Sequence, residues 1–547
     1  MLRPVTRIGE SMTVEPSPEF NRAEAAVLGR YFTNLDRPVF ALRNLPEVVK
    51  GALFSRYSRT EKSLRRVLLD EFINQPDSGF EELTGSTGAA DDMVAVRRAE
   101  EFYERVLVGY GDDSVAELAG AHVAVERTST LAAKALEDSR IGISPLEKST
   151  RYVRFDRPGP DGRFLYHRGP ELAHPDYEPA ADLLFQTYSS LIEPLTQAIR
   201  DRFPIEADET ERAWKSATRA KALDMLRGLL PAGTLTNLGL FGNGRAFEYL
   251  ITKLAAHELP ECQTLATDLH RELALVIPAF VKRALDGRYG APAAERLARL
   301  RVATAKLARR SGGLASGPSV RLIEHDPEAE RKVVAAALFP HSDARWVEQQ
   351  GDPGQVLDAL LADRANRRQR PGRALEHAQY AFEIVANFAA YRDLHRHRML
   401  TQDRQLLGTG LGFDMPPGLA ELGMKERFTT AIEAAARAHA GLERDLGPAL
   451  AQYVVPLAYR VRWYFRVNLR EIYHLCELRT TPQGHPDYRW VAQEMFRLVA
   501  EVHPRLAEYA RFVDMGPGDE LERRRSERRL DQKLSALDSP TKSEAKP

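Results

Sequence analysis

Apolar residues recur at helical spacing in both halves of the chain. In the C-terminal half, Tyr380, Ile384, Phe388, Tyr391 and Leu394 lie three or four residues apart. A second series has the same spacing in the N-terminal half, and its members are Leu118, Ala121, Val125, Thr128, Ala132 and Ala135. Because an α-helix has 3.6 residues per turn, each series places its apolar side chains on one face. The pattern predicts two amphipathic helices packed on a core.

Segments of the first half are echoed in the second. The stretch FALRNLPEVVKGALFSRYSR begins at Phe40, and it resembles VRLIEHDPEAERKVVAAALFPHSD, which begins at Val320. Each has a short apolar start, a proline and then a helical pattern, so each is predicted to form a strand, a turn and a helix.

A second pair of segments supports an internal duplication. Asn243 follows Pro231 by twelve residues, and Asn468 follows Pro456 by twelve residues, with an Asn-x-Arg triplet in each case. A repeat of this length indicates two homologous halves rather than one large domain. The predicted organisation is an N-terminal extension over 1–24, a first domain over 25–290, a linker over 291–319, a second domain over 320–515, and a charged tail over 516–547 in which a frayed helix is followed by disorder.

The overall charge gives no reason to bind a polyanion. The 547 residues include 77 Lys plus Arg and 77 Asp plus Glu, so the formal net charge is zero. We therefore expect no nucleic acid and no membrane as partner, and any anionic ligand needs a local cluster of cations. Two cysteines, Cys262 and Cys476, are too few for a disulfide framework. No stretch has the apolar length of a signal peptide or membrane helix, so we expect a cytoplasmic protein.

Two short motifs carry candidate chemistry. The first is Arg396-His397-Arg398 at the end of a predicted helix. Buried guanidinium groups require anionic partners, so this motif indicates either an anion site or a charged surface patch. A metal site is not expected, because no acidic or cysteine ligands accompany the histidines and the arginines would repel a cation.

The second motif is the loop SPLEKSTRY, residues 144–152. Arg151 and the Ser149 hydroxyl could hold a phosphate while Glu147 orients another polar group. An ordinary surface turn that starts at a proline has the same composition, so both interpretations stay open.

Three segments together resemble the flavin-dependent thymidylate synthases. They are EHAQYAFEIVANFAAYRDLHRHR, SPLEKSTRYV and NLREIYHLCELR. The family signature is RHRxxSxxExSxRY, followed near the C-terminus by NxRxxxxFxxLR. The resemblance implies an α/β fold class with two homologous flavin-dependent-thymidylate-synthase-like domains in tandem, each a small β-sheet with long packed helices.

The signature is divided between the two halves. The second half keeps the RHR triplet, but Arg404, Leu406 and Gly408 stand at the family's Glu, Ser and Arg. The first half keeps the rest of the signature, namely Ser144, Glu147, Ser149, Arg151 and Tyr152, and has Ser139, Arg140 and Ile141 where RHR belongs. The two remaining family arginines match at Arg227, opposite Gln452, and at Arg479, opposite Leu254.

These reciprocal losses are typical of sites composed from both halves. Family members form homotetramers with sites between subunits, so the resemblance implies a homodimer that forms a pseudo-tetramer. It implies Arg479 as the catalytic residue that stabilises charge on the uracil ring. The implied cofactor-binding residues are Glu147, Glu376, Arg396, His397, Arg398, Asn468, Arg470 and His474. The implied substrate-binding residues are Ser149, Thr150, Arg151, Arg227 and Asp393.

The implied reaction is FAD-dependent methylation of dUMP to dTMP, with methylene-tetrahydrofolate and NADPH as co-substrates. Asp393 stands where the family usually has Gln, which leaves open flavin-dependent modification of a different pyrimidine nucleotide. A catalytically silent nucleotide- or flavin-binding scaffold is the third alternative. A cysteine nucleophile is disfavoured, because Cys476 lies in a helical pattern as a buried small residue and Cys262 lies in an exposed-looking turn without a base.

Overall fold

The computed structural model describes residues 19–57, 60–74, 117–139, 141–308 and 317–538. The strands are β1 Gly120–Ser129, β2 Ile143–Glu147, β3 Leu235–Asn243, β4 Ser319–His325, β5 Gln379–Asn387, β6 Leu400–Arg404 and β7 Arg460–Asn468. The helices are α1 Arg22–Leu28, α2 Glu47–Tyr57, α3 Leu64–Leu68, α4 Thr130–Glu137, α5 Tyr177–Arg202, α6 Glu211–Leu226, α7 Gly244–Ala255, α8 Pro260–Ala274, α9 Pro278–Val281, α10 Gly290–Leu307, α11 Ala329–Leu338, α12 Pro353–Leu361, α13 Phe388–Leu394, α14 Lys425–Leu446, α15 Pro448–Ala451, α16 Leu469–Arg479, α17 Pro486–Val502, α18 Pro504–Glu508 and α19 Arg524–Asp538.

Two small sheets have related strand orders. The first sheet has the order β1-β3-β2, and the second has β4-β5-β7-β6. The order β5-β7-β6 repeats that of the first sheet, and β4 is added at the edge by antiparallel pairing with β5. Both β1 and β5 continue directly into a helix, as do β3 and β7. This repeated topology is what a duplicated α/β unit produces, so the predicted fold class is confirmed.

The helical spacing of the two apolar series predicted their secondary structure only in part. Residues 379–387 form strand β5 and residues 120–129 form strand β1, and helices begin only at Phe388 and Thr130. The helix predictions were wrong over the strand portions. Nearly every side chain of β5 is buried, so apolar residues occupy both faces of the strand. In such a run, apolar residues also occur three or four positions apart, which resembles the spacing of a helix.

The predicted strand, turn and helix are present in the second copy as β4 and α11. In the first copy α2 forms, but the strand prediction was wrong, because Leu42 makes only an isolated bridge with Phe32. A single bridge leaves most backbone groups of this segment without ladder partners. Other groups take their place, as where the Thr33 hydroxyl accepts from Ala41 N at 2.8 Å.

The Asn-x-Arg triplets have a structural origin. The Asn243 side chain accepts a hydrogen bond from Ala246 N at 2.8 Å and caps α7. The Asn468 side chain accepts one from Glu471 N at 2.9 Å and caps α16. An asparagine at this position satisfies backbone N–H groups that the first helical turn leaves unpaired. The repeated triplet therefore marks the same strand-to-helix junction in both copies.

The described chain separates into two compact units. The first contains the described residues of 1–124, 138–146 and 239–308, and the second contains those of 125–137, 147–238 and 309–547. In the first unit α7 packs against α8, α9 and α10. In the second unit α5 packs against α6 and α14 around buried Leu184, Tyr188 and Leu191. The second unit takes chain from both repeats, and the domain boundaries expected from sequence stay a prediction.

The charged tail forms helix α19 as far as Asp538. Residues 539–547, where disorder is predicted, lie outside the described residues, as do residues 1–18 of the predicted extension and 309–316 of the linker. The remainder of the linker is mostly helix α10. Across the described ranges, no helix is both long and apolar enough to cross a membrane.

Candidate functional site

A cavity of about 260 Å³ in the second unit brings residues of the two repeats together. We call it the arginine cavity. Its lining residues are Lys148, Ser149, Thr150, Arg151, Tyr152, Arg227, Ala389, Arg392, Asp393, Arg396, Arg479, Tyr488 and Arg523. All five substrate-binding residues expected from sequence are among them, together with Arg396 and Arg479. Some residues kept only by the first repeat and some kept only by the second therefore line a single cavity within one chain.

The loop that carries Ser149 and Arg151 is held by backbone hydrogen bonds. It leaves the end of β2, where Lys148 N donates to the carbonyl of Asn237 on β3 at 2.9 Å. Arg151 N then donates to the Ser149 hydroxyl at 3.2 Å, which closes a tight turn. A serine hydroxyl stabilises a turn in this way by replacing a backbone acceptor.

Arg151 is fixed by a carboxylate from α6. Its Nε and Nη2 donate to Asp224 at 2.8 and 2.6 Å, and its Nη1 donates to the Tyr488 hydroxyl at 3.3 Å. Burial acts to lower the pKa of Arg151, but the Asp224 carboxylate outweighs it and raises the pKa above its usual range. Two parallel bonds set the orientation of the guanidinium plane. Arg151 is thus a fixed cation in the wall of the cavity.

Arg227 pairs with Asp393 across the repeats. Arg227 Nη1 donates to Asp393 Oδ2 at 3.0 Å, while its Nε and Nη2 are buried without a hydrogen-bond partner. Burial acts to raise the pKa of Asp393, but Arg227, Arg396, Arg151 and Arg479 hold it well below its usual range. Buried donors without partners cost about 1–3 kcal/mol each, so this arginine is poised for an acceptor.

Arg479 is oriented by a histidine and a glutamate. Arg479 Nε donates to His397 Nε2 at 3.0 Å, and His397 Nδ1 lies 2.7 Å from Glu471 Oε1. Burial and the Arg479 charge lower the pKa of His397 well below its ordinary value, so the ring is neutral. Because Nε2 accepts from Arg479, the ring proton sits on Nδ1 and is donated to Glu471.

Arg479 forms no ion pair with Glu477, which lies two residues earlier in α16. Glu477 instead binds Arg364 through two bonds of 2.8 and 2.7 Å. The Arg479 guanidinium lies 5.6 Å from the centre of the Tyr488 ring. Arg479 therefore reaches the arginine cavity as a cation that no carboxylate of the described residues pairs within 4 Å.

A second, smaller cavity of about 50 Å³ is lined in part by Glu471, the hydrogen-bond partner of His397, and we call it the flanking cavity. It is lined by Arg364, Arg367, Arg370, Pro371, Glu376, Met399, Asn468, Arg470, Glu471, His474 and Glu477. Four expected cofactor-binding residues are in this set. The His397 ring is 5.3 Å from the His474 ring, and Arg470 Nη1 donates to Glu376 at 3.1 Å. The hydrogen-bonded chain of Glu471, His397 and Arg479 thus connects the two cavities, because Glu471 lines the flanking cavity and Arg479 lines the arginine cavity.

Three expected cofactor-binding residues line neither cavity, namely Glu147, Arg398 and the His397 described above. Glu147 is buried beneath the arginines, where it accepts from Lys134 at 2.9 Å and Arg392 at 2.7 Å and lies 3.7 Å from Arg396. Lys134 also pairs with Glu137. Arg398 is exposed. In this position Glu147 acts on a ligand only through the arginine side chains that it holds.

Sequence reasoning missed four residues of the site, namely Asp224, Glu471, Tyr488 and Arg523. Helical spacing could have placed Asp224 near Arg227 and Glu471 near His474. It could not have indicated their contacts with Arg151 and His397, which join distant segments. Tyr488 and Arg523 carry no local signal, because their contacts join segments far apart in sequence.

The cysteines do not provide a nucleophile. Cys476 is fully buried in α16, and burial raises its pKa above the usual range. Cys262 is also fully buried, near the start of α8, and burial raises its pKa as well. The expectation that Cys262 lies in an exposed turn was wrong, because the first helical turn packs it into the core. Both thiols stay protonated near neutral pH.

One group of three side chains has a geometry compatible with a metal ion. His397, Glu471 and His474 have ligand atoms within 4.8 Å of one another. Both ring nitrogens of His397 already take part in the Glu471–His397–Arg479 chain. The prediction of no metal stays a prediction.

The model of the family "Thymidylate synthase complementing protein", Thy1, matches residues 66–279 and 321–505. The chain belongs to the Thy1 family. Two matches in tandem confirm the duplicated form expected from the signature motifs. Thy1 membership also supports an enzyme with thymidylate-synthase-like activity.

Two relatives match over most of this chain. A UPF0159 protein of Chlamydia muridarum is 42% identical over 519 residues, which cover 92% of this chain and 97% of the relative. A UPF0159 protein of Thermoplasma acidophilum is 35% identical over 503 residues, 85% of this chain and 95% of the relative.

Shorter relatives match about one repeat. A flavin-dependent thymidylate synthase of Geobacter sulfurreducens is 30% identical over 213 residues, 36% of this chain and 87% of the relative. Such Thy1 relatives imply a flavin cofactor. A crystal structure of a UMP/dUMP methylase from Streptomyces cacaoi, bound with 5-Br UMP, is 21% identical and covers 36% of this chain and 95% of its own, with a TM-score of 0.29.

Proposed function

We propose that this Thy1 protein catalyses FAD-dependent methylation of dUMP to dTMP, with methylene-tetrahydrofolate as the carbon donor and NADPH as the reductant. One observation carries the proposal. The residues that the first repeat kept, Ser149, Arg151 and Arg227, line the same cavity as Arg396 and Arg479 from the second repeat. Reciprocal loss followed by convergence in one cavity favours selection for a shared site over decay of a scaffold.

The loop of the first repeat would hold the nucleotide phosphate. Arg151 is fixed by Asp224, and Arg227 keeps two buried N–H donors without partners. A phosphate oxygen satisfies such donors with short, charge-assisted hydrogen bonds. Ser149 and Thr150 complete the loop, and Asp393 neutralises part of the excess positive charge.

Arg479 would stabilise negative charge that develops on the pyrimidine ring. Its position is set by the neutral His397 ring, whose own orientation is set by Glu471. A donor fixed before the reaction needs no reorganisation in the transition state, and one such donor contributes about 10²–10³-fold in rate.

The flanking cavity is suited to the anionic part of a flavin dinucleotide. Arg367, Arg370 and Arg470 are among its lining residues, and guanidinium groups bind diphosphates well. Glu376 orients Arg470, and Asn468 and His474 complete the donor set. When bound, the flavin supplies the hydride for methyl formation. We assign Arg396 and His397 to the boundary between flavin and nucleotide, with Glu147 as the support of Arg396 and Arg398 at the exposed end.

We further propose that the domains span 25–290 and 320–515 and that the chain works in the cytoplasm as a homodimer resembling the family tetramer. Cross-linking and light scattering of the purified chain test the dimer. A monomer that retains full activity would contradict this part of the proposal alone, because the arginine cavity is complete in one chain.

The main test is turnover of dUMP by the purified full chain. We expect flavin absorbance and release of the hydrogen from uracil C5 when dUMP, methylene-tetrahydrofolate and NADPH are present. Arg479→Ala should reduce turnover by about 10²–10³-fold. The matched control is Arg466→Ala, an exposed arginine that pairs with Glu324 on the sheet surface and should leave turnover unchanged. Absence of flavin and of dUMP binding would overturn the proposal.

A different pyrimidine nucleotide is the second candidate. Asp393 lines the cavity where the family usually has Gln, and a carboxylate accepts hydrogen bonds from a ribose hydroxyl as well as from a base. Competition between dUMP and UMP for one site distinguishes the two candidates. If Arg151→Ala and Arg479→Ala leave the binding of both nucleotides unchanged, a silent scaffold is the better description.

A further inference from the structure

We propose that Arg523, from a segment beyond both Thy1 matches, is a further substrate-binding residue that contacts the phosphate of the nucleotide in the arginine cavity. The inference rests on the proposed function only in naming a nucleotide as the ligand. It concerns the C-terminal segment, residues 516–538, which was expected from sequence to be a charged tail. The Thy1 matches end at residue 505, so the family does not supply this residue.

Arg523 belongs to the wall of the cavity. It lines the cavity together with Arg151, Arg396 and Arg479, and its guanidinium lies 4.0 Å from the centre of the Tyr152 ring. Tyr152 is part of the loop that carries Ser149 and Arg151. Stacking on an aromatic face holds a guanidinium while leaving its edge free to donate hydrogen bonds.

Among the described residues, neither the Nε donor nor the positive charge of Arg523 has a partner. Its Nε is buried without a hydrogen-bond partner, and no carboxylate of the described residues pairs with it within 4 Å. Burial, together with the Arg151 charge, lowers the pKa of Arg523 to about 10. A partly buried cation next to another cation is costly unless an anion joins them.

The charges in the cavity are consistent with a dianionic ligand. Asp224 pairs with Arg151 and Asp393 pairs with Arg227. Arg396 is 3.7 Å from Glu147, but that carboxylate also binds Lys134 and Arg392. Arg479 and Arg523 therefore have no carboxylate of their own among the described residues. With Arg479 assigned to the pyrimidine ring, Arg523 is the cation left to offset charge on the phosphate.

Ion pairs on either side of Arg523 hold the segment in place. Glu522 binds Lys221 of α6 at 2.5 Å, and Arg524 Nε donates to Glu209 at 3.0 Å. Further along α19, Arg528 binds Asp208 at 3.0 Å and Asp531 pairs with Arg212. The neighbours of Arg523 are thus paired with the α6 region, whereas Arg523 lies in the cavity. This arrangement is expected of an arginine that the segment presents to a ligand.

The test is the binding of dUMP to the full chain, measured by calorimetry with inorganic phosphate as a second probe. We expect Arg523→Ala to weaken dUMP binding by about 10- to 100-fold, the range typical of a charged hydrogen bond to phosphate. Arg523→Lys should recover part of the loss because it restores the charge without the planar fork. The matched control is Arg525→Ala, an exposed arginine two residues away that pairs with Asp519 at 3.4 Å and should bind dUMP like the wild type.

The possible outcomes separate the inference from the proposed function. If the wild type binds dUMP and Arg523→Ala binds it within about twofold of the wild type, the inference is overturned and the proposed function stands. If the wild type binds phosphate but no pyrimidine nucleotide, a loss of phosphate binding in Arg523→Ala still supports Arg523 as an anion-binding residue. A wild type that binds neither probe overturns both. Equal losses in Arg523→Lys and Arg523→Ala, with lowered melting temperatures in both, would assign Arg523 a structural role and contradict the inference.

Discussion

The two repeats differ in how they satisfy the polar groups of the residue four positions before Pro231 and before Pro456. In the first copy, Arg227 has two buried N–H groups without partners beside the loop of Ser149 and Arg151. In the second copy, Gln452 occupies the equivalent position and accepts from Leu407 N at 3.0 Å. Its amide nitrogen donates to Ala449 O at 3.1 Å. One copy leaves donors available for a ligand, and the other satisfies them internally.

A neighbouring pair of positions shows the same contrast in charge. Glu147 of the first copy is buried with Lys134 and Arg392. Its counterpart Arg404 in the second copy lies 5.3 Å from the Phe388 ring centre and donates to Gln452 Oε1 at 3.3 Å. A site for an anion needs carboxylates that hold arginines in place, whereas a copy without a ligand can replace them with simple packing. From this contrast we expect that the second copy of the site binds no ligand.

The variant expected to have the largest effect on this difference is Arg227→Gln, which gives the first copy the residue of the second. It leaves the buried Asp393 carboxylate without its closest partner, so we expect a loss of about 3–5 kcal/mol in unfolding free energy. Binding of dUMP should weaken by more than about 100-fold, because a charged donor to phosphate is lost as well. Denaturant unfolding and calorimetry measure the two effects.

The double variant Arg227→Gln with Asp393→Asn is the control. It removes the unpaired charge, so most of the lost stability should return while the binding of dUMP stays weak. Recovery of nucleotide binding in the double variant would show that Arg227 only neutralises Asp393.

A matching test in the second copy is Gln452→Leu. It removes the acceptor of Leu407 N and leaves a buried backbone donor unpaired, which should cost about 1–3 kcal/mol of unfolding free energy. We expect no change in dUMP affinity, because this copy satisfies its own polar groups. A fall in affinity comparable to that of Arg227→Gln would contradict the division of roles between the copies.

Much of the site could be predicted from sequence, and the reason lies in its motifs. Ser149, Arg151, Arg227, Arg396 and Arg479 were each indicated by family spacing, and all line one cavity. Their functional roles remain proposals. The side chains that hold them could not be predicted in the same way.

The Asp224 carboxylate reaches Arg151 across 73 positions of sequence, and Arg523 reaches Tyr152 from the far end of the chain. Such contacts depend on how the helices pack, which no local pattern encodes. The strand β5 was mistaken for a helix for a related reason, because burial on both faces removes the alternation that marks a strand.

Two buried histidines of the second repeat should also respond differently to acid. His397, which is hydrogen-bonded to Arg479 of the arginine cavity, is buried and neutral, with its pKa well below the ordinary value because of burial and Arg479. An unfolded chain protonates this histidine below about pH 6.5. The unfolded state then binds more protons than the folded state, so stability falls as the pH falls, by about 1.4 kcal/mol per pH unit for this group. His485 has its pKa lowered in the same direction by burial, Arg227 and Arg151.

Urea unfolding between about pH 6 and about pH 5 measures this slope. His397→Asn should lower this slope, because unfolding then takes up about one proton fewer. His439, next to the second-copy loop, has its pKa lowered chiefly by burial, opposed by Glu443, and His439→Asn should reduce the slope less. Equal changes of slope in the two variants would mean that the charge of Arg479 does not affect how stability depends on pH.

The smallest expected effect concerns the chain that orients Arg479. Glu471→Gln keeps an acceptor for His397 Nδ1 but replaces a charge-assisted hydrogen bond with a neutral one, a difference of about 1 kcal/mol. Turnover of dUMP should fall by about fivefold with little change in nucleotide affinity, because the contacts proposed for the phosphate are untouched. Glu508→Gln, at an exposed position, is the control and should turn over like the wild type. A change in nucleotide affinity without a change in turnover would place Glu471 with the nucleotide-binding residues and remove it from the orientation of Arg479.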